Sequence, residues 1–457
     1  MTADTLLDLS RSLPGIAMDS SAEVLAAYGS DQGPVLEYNN PLAVVWAQSV
    51  SEVQQVLRWA SRTGTAVVPR GAGTGVSGGA HATAGSIILS VERMNRILEI
   101  RPDDELARVE PGVINAELNT AAAEFGLMYA PDPASYRIST IGGNVATNAG
   151  GLRCAKYGVT RDSVLALDVV LADGTLIATG HQTFKGVAGY DLTGLFTGSE
   201  GTLGIVVGIT VRLRYLPVQV CTLAGFFPDI ESAAAGVLAV GRARVQPAIM
   251  ELLDAETMVA LDGAHGSTLR SRGAALLLVQ TDGYGADAEA DVVRSALTAE
   301  GGSVSLEGSA EALELLDLRR HSRGDAVHTE HRVGEDVAVP RSRLVPYIAG
   351  LNTMARRHRV RLKVVAHAGD GNLHPTFWVQ KAEGSAAVER LDAALDESIT
   401  LALAMGGTIT GEHGVGQFKL RWLAQEQQEE VLELQRRIKE VFDPAGILNP
   451  GKAIIPR

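Results

Sequence analysis

Cysteine is almost absent: Cys154 and Cys221 are the only two in 457 residues, which excludes a disulfide framework and a zinc site built from cysteines. No apolar run approaches the roughly 20 residues of a membrane span, so no span is expected. The N-terminus has no basic stretch leading into an apolar one, so no secretory signal is read there and a cytoplasmic protein is expected. Positive charge is in deficit, with 40 Lys and Arg against 53 Asp and Glu and a formal net charge of −13. That balance argues against nucleic acid or anionic lipid as a partner. The one basic cluster, Arg356-Arg357-His358-Arg359-Val360-Arg361, falls at a predicted helix end, where cations suit the helix dipole. Glycine is abundant instead, with 50 residues, and implies many tight loops and close backbone approaches. Hydrophobic residues at 46% and charged residues at 20% allow large cores, and this length suggests two domains.

Residues 1–40 read as short helices and loops at the periphery of a first domain. A helix over VQQVLRWASR is announced by a capping box, Ser49 with Glu52 or Ser51 with Gln54, and is ended by Gly64. Short strands follow at 66–69 and 86–90, with a glycine-rich loop between them. VLALDVVLADGTLIATG (164–180) is a hairpin pattern turning at Asp173-Gly174, and GIVVGITVRLR (204–214) is a further strand. From about Val220 the pattern changes. Strands near 220–227, 247–251, 274–280, 303–306 and 336–339 alternate with amphipathic helices at 229–243, 285–300 and 342–358. The fold class expected is α+β, with an antiparallel sheet carrying helices on one face in the second part. The boundaries expected are 1–217, 218–415 and a helical, turn-rich segment 416–457.

Gly73-Thr74-Gly75-Val76-Ser77-Gly78 matches the dinucleotide fingerprint G-x-G-x-x-G, and Glu92 falls about where the ribose acid would lie. The match fails on context. The fingerprint needs a helix opening at the loop, but only GAHATAG (79–85) separates it from the next strand, and a crossover helix needs about a dozen residues. The loop still suits phosphate, because successive glycines let backbone N–H groups converge on an anion. STIGGNVATNAGGLR (139–153) and GSEGTLGIVVG (198–208) are equally glycine-dense. Three such loops point to a long phosphate-bearing cofactor held by main chain; purely structural turns are the alternative.

A second constellation lies far along the chain. KVVAHAGDGNLHPTFW (363–378) reads as a hairpin turning at Asp370-Gly371-Asn372. Across it, His367 and His374 converge as a metal half-site. GGTITGEHGVGQ (406–417) places Glu412 beside His413 in a glycine-rich loop. His367, His374 and Glu412 as three ligands would leave coordination positions open for catalysis, and His413 would serve as a base near neutral pH. Polar residues capping separate buried turns are the alternative. Zinc, manganese and iron are not separable from these ligand types.

PRGAGTGVSGGA (69–80), TIGGNVATNAGGLR (140–153), GYDLTGLFTGSEGTLGI (189–205), HAGDGNLH (367–374), GEHGVG (411–416) and FDPAGILNPGK (442–452) together resemble the FAD-linked oxidases of the vanillyl-alcohol oxidase and p-cresol methylhydroxylase type. Within that group the chain is most similar to D-lactate dehydrogenases, the D subunit of glycolate oxidase and D-2-hydroxyglutarate dehydrogenase. The resemblance runs from about residue 40 to the C-terminus. It implies an FAD-binding domain of two α+β subdomains (PCMH-type), a ferredoxin-like substrate domain and a C-terminal segment returning to the flavin. It assigns the pyrophosphate loop to Arg70, Gly71, Ala72, Gly73 and Thr74, with Gly75 and Ser77 beyond. It sets Pro131, Asp132 and Ser135 along the cofactor. Gly142, Gly143, Asn144, Thr147, Asn148 and Gly150 go to the isoalloxazine and diphosphate. Glu200, Gly201, Gly204 and Ile205 go near the adenosine or ribityl part, and Asn449 closes over the flavin. His367, His374 and Glu412 match the family's metal ligands and His413 its base. His81, just past the loop, reads as an incidental surface histidine, so FAD is expected to be non-covalent. Compared with D-2-hydroxyglutarate dehydrogenase, Arg319 matches an Arg, but Arg323 replaces a Thr, Gly334 a Lys and Thr376 an Asn. These changes weigh against D-2-hydroxyglutarate as the substrate.

The reading that follows is oxidation of a small, D-configured 2-hydroxy acid. His413 takes the hydroxyl proton. Arg319, Arg323, Asn372 and His413 contact the substrate, with Arg319 on its carboxylate. For Arg319 a surface ion pair on its helix is the alternative. No second cofactor motif is present, so an external electron acceptor is expected: an electron-transfer flavoprotein, a quinone, a cytochrome or an iron–sulfur partner. A homodimer is compatible with the sequence. Rival readings are a non-redox flavoenzyme of the alkyl-dihydroxyacetonephosphate synthase type, a flavin-free metal-dependent hydrolase, and a non-catalytic subunit.

Overall fold

The computed structural model describes residues 2–37, 39–322 and 328–456. The chain divides into two compact units. The first comprises Met1–Gly150, Gly158–Leu216 and Glu412–Arg457; the second comprises Gly151–Tyr157 and Pro217–Gly411.

The first unit contains two main sheets. One is four-stranded, in the order Ala17–Asp19, Ala43–Trp46, Ile87–Ser90, Val67–Arg70, with parallel pairing among the last three. Val67–Arg70 and Ile87–Ser90 are parallel neighbours, yet no helix lies between them. The glycine loop makes the connection, as the rejected fingerprint required. Residues 17–19, read as loop, are a short strand because Met18 pairs with Val45 and packs on the apolar core beneath. Helix Val50–Thr63 covers that core with Val53, Val56, Leu57, Trp59 and Ala60. Ser49 accepts the Glu52 amide at 3.3 Å, and Glu52 accepts the Gln48 amide at 2.9 Å, which satisfies orphan donors at the helix start. Gly64 ends the helix in the left-handed region at φ 68°.

The other main sheet has five antiparallel strands, in the order Ile97–Arg101, Leu106–Val109, Ile205–Arg212, Val164–Val170, Leu176–Gly180. The expected hairpin turns at Asp173-Gly174, where Asp173 also accepts the Thr175 amide at 2.8 Å. The C-terminal tail returns to the first sheet. Val67 donates to the Ile447 carbonyl, and Asn449 donates to the Val67 carbonyl, both at 2.8 Å. Ile447 and Leu448 thereby enter the core beside Val67.

The second unit is built on an eight-stranded antiparallel sheet. Its main order is Ser303–Glu307, Val220–Phe227, Ala275–Asp282, Ile249–Asp254, Arg361–His367, Asn372–Gln380, Glu330–Gly334, with Val337–Ala338 also on Asn372–Gln380. The strand expected at 336–339 is thus shorter, and Glu330–Gly334 is an additional strand. Its run EHRVG has too little apolar alternation to be read as a strand. Long helices Ile230–Arg242, Ala286–Ala299, Leu344–His358 and Ser385–Ala404 accompany the sheet. The basic cluster does close a helix. Arg356, Arg357 and His358 form its last turn, and His358 bonds Glu397 at 2.8 Å. Neither Cys154 nor Cys221 is in a disulfide.

Candidate functional site

In the first unit the glycine loop leaves its strand at Arg70, whose Nη1 donates to the Ser30 carbonyl at 2.8 Å. Gly71 admits no side chain, because a methyl group there would lie 2.3 Å from Thr140 Oγ1. Gly73, at φ +68°, would place a methyl 2.0 Å from the Arg70 guanidinium. Among the described residues, no backbone N–H from Ala72 to Val76 donates to a protein acceptor. These residues are half-buried, and a run of open amides in a glycine loop is able to take an anion.

The second glycine segment opens helix Ile141–Thr147. Its cap, Thr140, accepts the Gly143 amide at 3.1 Å, and Gly142 packs on Pro111. Asn144 is buried and accepts from Asn115 Nδ2 at 3.2 Å; the same amide group reaches the Pro131 carbonyl at 3.0 Å. Thr147 bonds back to the Gly143 carbonyl at 3.2 Å, and Asn148, at φ 52°, accepts the Arg161 amide at 2.8 Å. Asp132 and Gly150 are buried, and Ser135 lends its carbonyl to the turn through Ser139.

In the third segment Glu200 is buried in a left-handed conformation at φ 52°. Its carboxylate accepts the amides of Val415 and Gly416, both at 2.8 Å. Burial outweighs these bonds and pushes its carboxyl pKa up to about 7. Gly201 packs on Pro69 and Gly204 on Val169, while Ile205 lies in the apolar core, so its side chain is structural. Ser77 is buried, and its carbonyl accepts the Gln417 and Phe418 amides. Asn449 donates to the carbonyls of Gly79 at 2.9 Å and Glu200 at 2.7 Å. Its Oδ1 is buried without a protein donor among the described residues. Unclaimed amides in the loop and an unclaimed acceptor on Asn449 fit a long cofactor carrying phosphates and a hydrogen-bonding ring.

His81 is not a surface residue. It is buried, and its Nε2 lies 2.9 Å from Asp31 Oδ1. The turn at Gly78, with φ +77° and an N–H from His81 to the Gly78 carbonyl, folds it inward.

In the second unit, strand register assembles the histidine group. His374 stands opposite Val365, so His367 and His374 are diagonal neighbours on one face of the hairpin. Their rings meet edge-on, with centroids 5.1 Å apart. His367 is also directly opposite Glu251 on the adjoining strand, and its Nδ1 bonds Glu251 Oε1 at 2.7 Å. Glu251 Oε2 lies 2.6 Å from Arg319 Nε, and both side chains are buried. The surface ion pair considered for Arg319 is therefore incorrect. Helix Ser309–Arg320 turns its last residues inward, with Arg319 Nη1 donating to Ser322 Oγ at 3.2 Å. His374 Nδ1 is 3.8 Å from Asp336 Oδ1. Asp336 is fully buried and accepts Thr410 Oγ1 at 2.7 Å and the Gly411 amide at 3.0 Å. Asn372 is buried against Gly411. Thr376 is buried in the hairpin and Gly334 faces it across the ladder. Arg323 lies outside the described residues. Glu412 follows Gly411 directly in the chain, and His413 Nε2 lies 3.8 Å from Glu412 Oε1.

Glu251 and Asp336 were not read as site residues. The signal for Glu251 was a lone acid inside the apolar run IMELLD. His367, with the buried Glu251 carboxylate bonded to its Nδ1, has the arrangement that fixes an imidazole's orientation and tautomer.

A sequence pattern of FAD linked oxidases, C-terminal domain, matches residues 216–453, and one of an FAD binding domain matches residues 41–180. Glycolate oxidase subunit GlcD of Bacillus subtilis is 39% identical over 439 residues, covering 95% of this chain and 93% of the relative. The chain belongs to the FAD-linked oxidases. This flavoprotein oxidoreductase is also 35% identical over 435 residues to D-lactate dehydrogenase of Archaeoglobus fulgidus, covering 94% of this chain and 95% of that one. Among solved structures, p-cresol methylhydroxylase with substrate bound superposes with a TM-score of 0.82 at 19% identity, covering 99% of this chain and 96% of that one. The 4-ethylphenol oxidase of Gulosibacter chungangensis gives 0.81 at 20% identity, covering 99% and 97%. These two likenesses speak to the fold, which is α+β with a PCMH-type FAD-binding part. Among the described residues no helix is long and apolar enough to cross a membrane.

Proposed function

We propose that this FAD-linked oxidase converts a small 2-hydroxy acid, D-configured and of the lactate or glycolate kind, to its 2-oxo acid. The names of its relatives, glycolate oxidase subunit and D-lactate dehydrogenase, support the substrate class. The observation that carries the reading is the imidazole pair of the hairpin, with Glu251 2.7 Å from His367 Nδ1. A flavoprotein that only shuttled electrons would have no use for such a group.

The amides of Ala72 to Val76 would hold the FAD phosphates, and Asn449 Oδ1 would accept from the ring system. When bound, FAD supplies the hydride-accepting chemistry that side chains lack. His367, His374 and Glu412 would hold a divalent metal, zinc being the one to test first and manganese or iron the alternatives. Glu412 suits this role because it is bonded directly to Gly411, whose amide Asp336 fixes. A metal held there would supply Lewis acidity toward the substrate hydroxyl. His413 takes the hydroxyl proton at its ring nitrogen. Arg319 supplies a buried positive charge beside the imidazoles, shared with Glu251, toward the substrate carboxylate. Arg323 and Asn372 complete the proposed substrate contacts. The electrons leave to an external acceptor.

The test is anaerobic. The purified protein is mixed with D- and L-2-hydroxy acids, and the flavin absorbance near 450 nm is followed. Bleaching by one or more D-2-hydroxy acids that persists until an acceptor is added is the expected result. An unchanged spectrum across the panel would overturn the proposal.

A further inference from the structure

Residues 28–33 were expected at the periphery, yet they lie along the glycine loop. Gln32 donates to the Gly75 carbonyl, and Ala82 donates to the Gly29 carbonyl, both at 2.8 Å. Arg70 donates to Ser30 and stacks over the Tyr28 ring at 5.3 Å. Tyr28 is fixed in turn by Glu92 at 2.7 Å and Trp46 at 3.2 Å. At the centre is Asp31. Its carboxylate accepts the Gly33 amide at 2.7 Å and the Ala80 amide at 3.1 Å and pairs with His81 at 2.9 Å. The side chains of His81 and Asp31 are 2% and 1% exposed. A methyl group on Gly33 would come within 2.6 Å of the Gly78 amide nitrogen and 2.8 Å of the Val76 carbonyl carbon. This segment therefore rests on the loop's backbone with no side chain between.

We propose that residues 28–33 are a strap that shapes the glycine loop for FAD, with Asp31 as its positioning residue and His81 as the partner that keeps Asp31 in place. The proposal rests on the reading that this loop holds the FAD phosphates. A buried carboxylate is costly unless its oxygens are satisfied. Here two amides and one imidazole, one from the strap and two from just beyond the loop, satisfy them. Those contacts pin Gly33, Ala80 and His81 around one group, which fixes the path of the backbone from Arg70 to Ala82. The donors also hold the Asp31 carboxyl below its ordinary range despite burial, so it acts as an anion at neutral pH. None of its oxygens has to face the cofactor. Asp31 spends its charge on the loop's flanks, and the amides of Ala72 to Val76 stay directed elsewhere.

The strap predicts a specific loss. If it shapes a phosphate cradle, weakening it lowers affinity for FAD but not for riboflavin, which lacks the phosphates. The experiment uses the full chain stripped of flavin. FAD and riboflavin are titrated separately by fluorescence quenching, and circular dichroism verifies the fold of each variant. Asp31→Asn should weaken FAD binding about tenfold or more while riboflavin binding stays within about twofold. His81→Leu should do the same to a smaller degree, and its effect should vanish in the Asp31→Asn background, because the two act as one pair. Equal FAD affinity in Asp31→Asn and the parent would overturn the strap, as would an equal loss for FAD and riboflavin. If Asp31→Asn fails to fold, Gly33→Ala decides by the same two ligands, since it lifts the strap from the loop without removing a charge. Gly73→Ala tests the underlying reading. Unchanged FAD affinity there would remove the loop from the cofactor site, whereas a loss there with none in Asp31→Asn would reject the strap alone.

Discussion

Glu251 offers the sharpest test of the histidine group. It is fully buried between two cationic or proton-bearing partners, Arg319 Nε at 2.6 Å and His367 Nδ1 at 2.7 Å. Glu251→Gln keeps the shape and an oxygen for His367, but leaves the buried Arg319 without its counter-charge. Breaking a buried pair from one side costs about 3–5 kcal/mol. The urea midpoint of the apoprotein should fall accordingly. Removing a carboxylate that orients a ligating imidazole weakens metal binding by about 10–100-fold. Glu251→Gln should sit at the low end of that range and Glu251→Ala at the high end. The assay is zinc competition against a chromogenic chelator. The double variant Glu251→Gln/Arg319→Met separates the two effects. It should regain most of the stability, because no lone charge remains buried, yet not the zinc affinity. Parental zinc affinity in both single variants would refute the claim that Glu251 orients His367. Full recovery of zinc affinity in the double variant would refute it equally.

His413→Ala should retain FAD while substrate-driven flavin reduction slows at least about a hundredfold in stopped-flow, as expected for loss of a general base. Glu200, raised by burial from 4.5 to about 7, keeps its proton in the folded protein between those values while the unfolded chain loses it. Stability should therefore fall as pH rises through that window, by up to about 3 kcal/mol from this group, and Glu200→Gln should flatten that slope in urea unfolding series. Ser49→Ala removes the cap of helix Val50–Thr63 and should cost about 1 kcal/mol, read as a lowered thermal midpoint.

The parts of the fold legible in the sequence were those decided locally. Ser49, Glu52 and Gly64 bound a helix, Asp173-Gly174 turns a hairpin, and Asp370-Gly371 turns another, because each signal acts within a few residues. The false fingerprint at Gly73–Gly78 was also a local matter, settled by counting residues to the next strand. The pairing of His367 with His374 was legible for the same reason, since one hairpin fixes it. What escaped notice depends on register between distant strands. Glu251 meets His367 only because their strands are neighbours and the two residues fall opposite each other. His81 looks like a surface imidazole, and Asp31 carries no signal within its segment of short helices and loops, because nothing in either segment records that the other covers it. Arg319 stays open to two readings in the sequence for the same reason. The end of a helix suggests a surface side chain, and only the third dimension turns it toward a buried acid.

The return of residues 447–449 to Val67 has a consequence for biosynthesis. The four-stranded sheet of the first unit gains its neighbour at Val67 only when residues 447–449 have left the ribosome. Nearly two hundred intervening residues, Pro217–Gly411, form a unit of their own and can collapse first. The nascent N-terminal half must meanwhile wait with an open strand edge, a state prone to mispairing. Translation that stalls before Ile447 should accordingly yield aggregates from the early half, while the inserted unit escapes them.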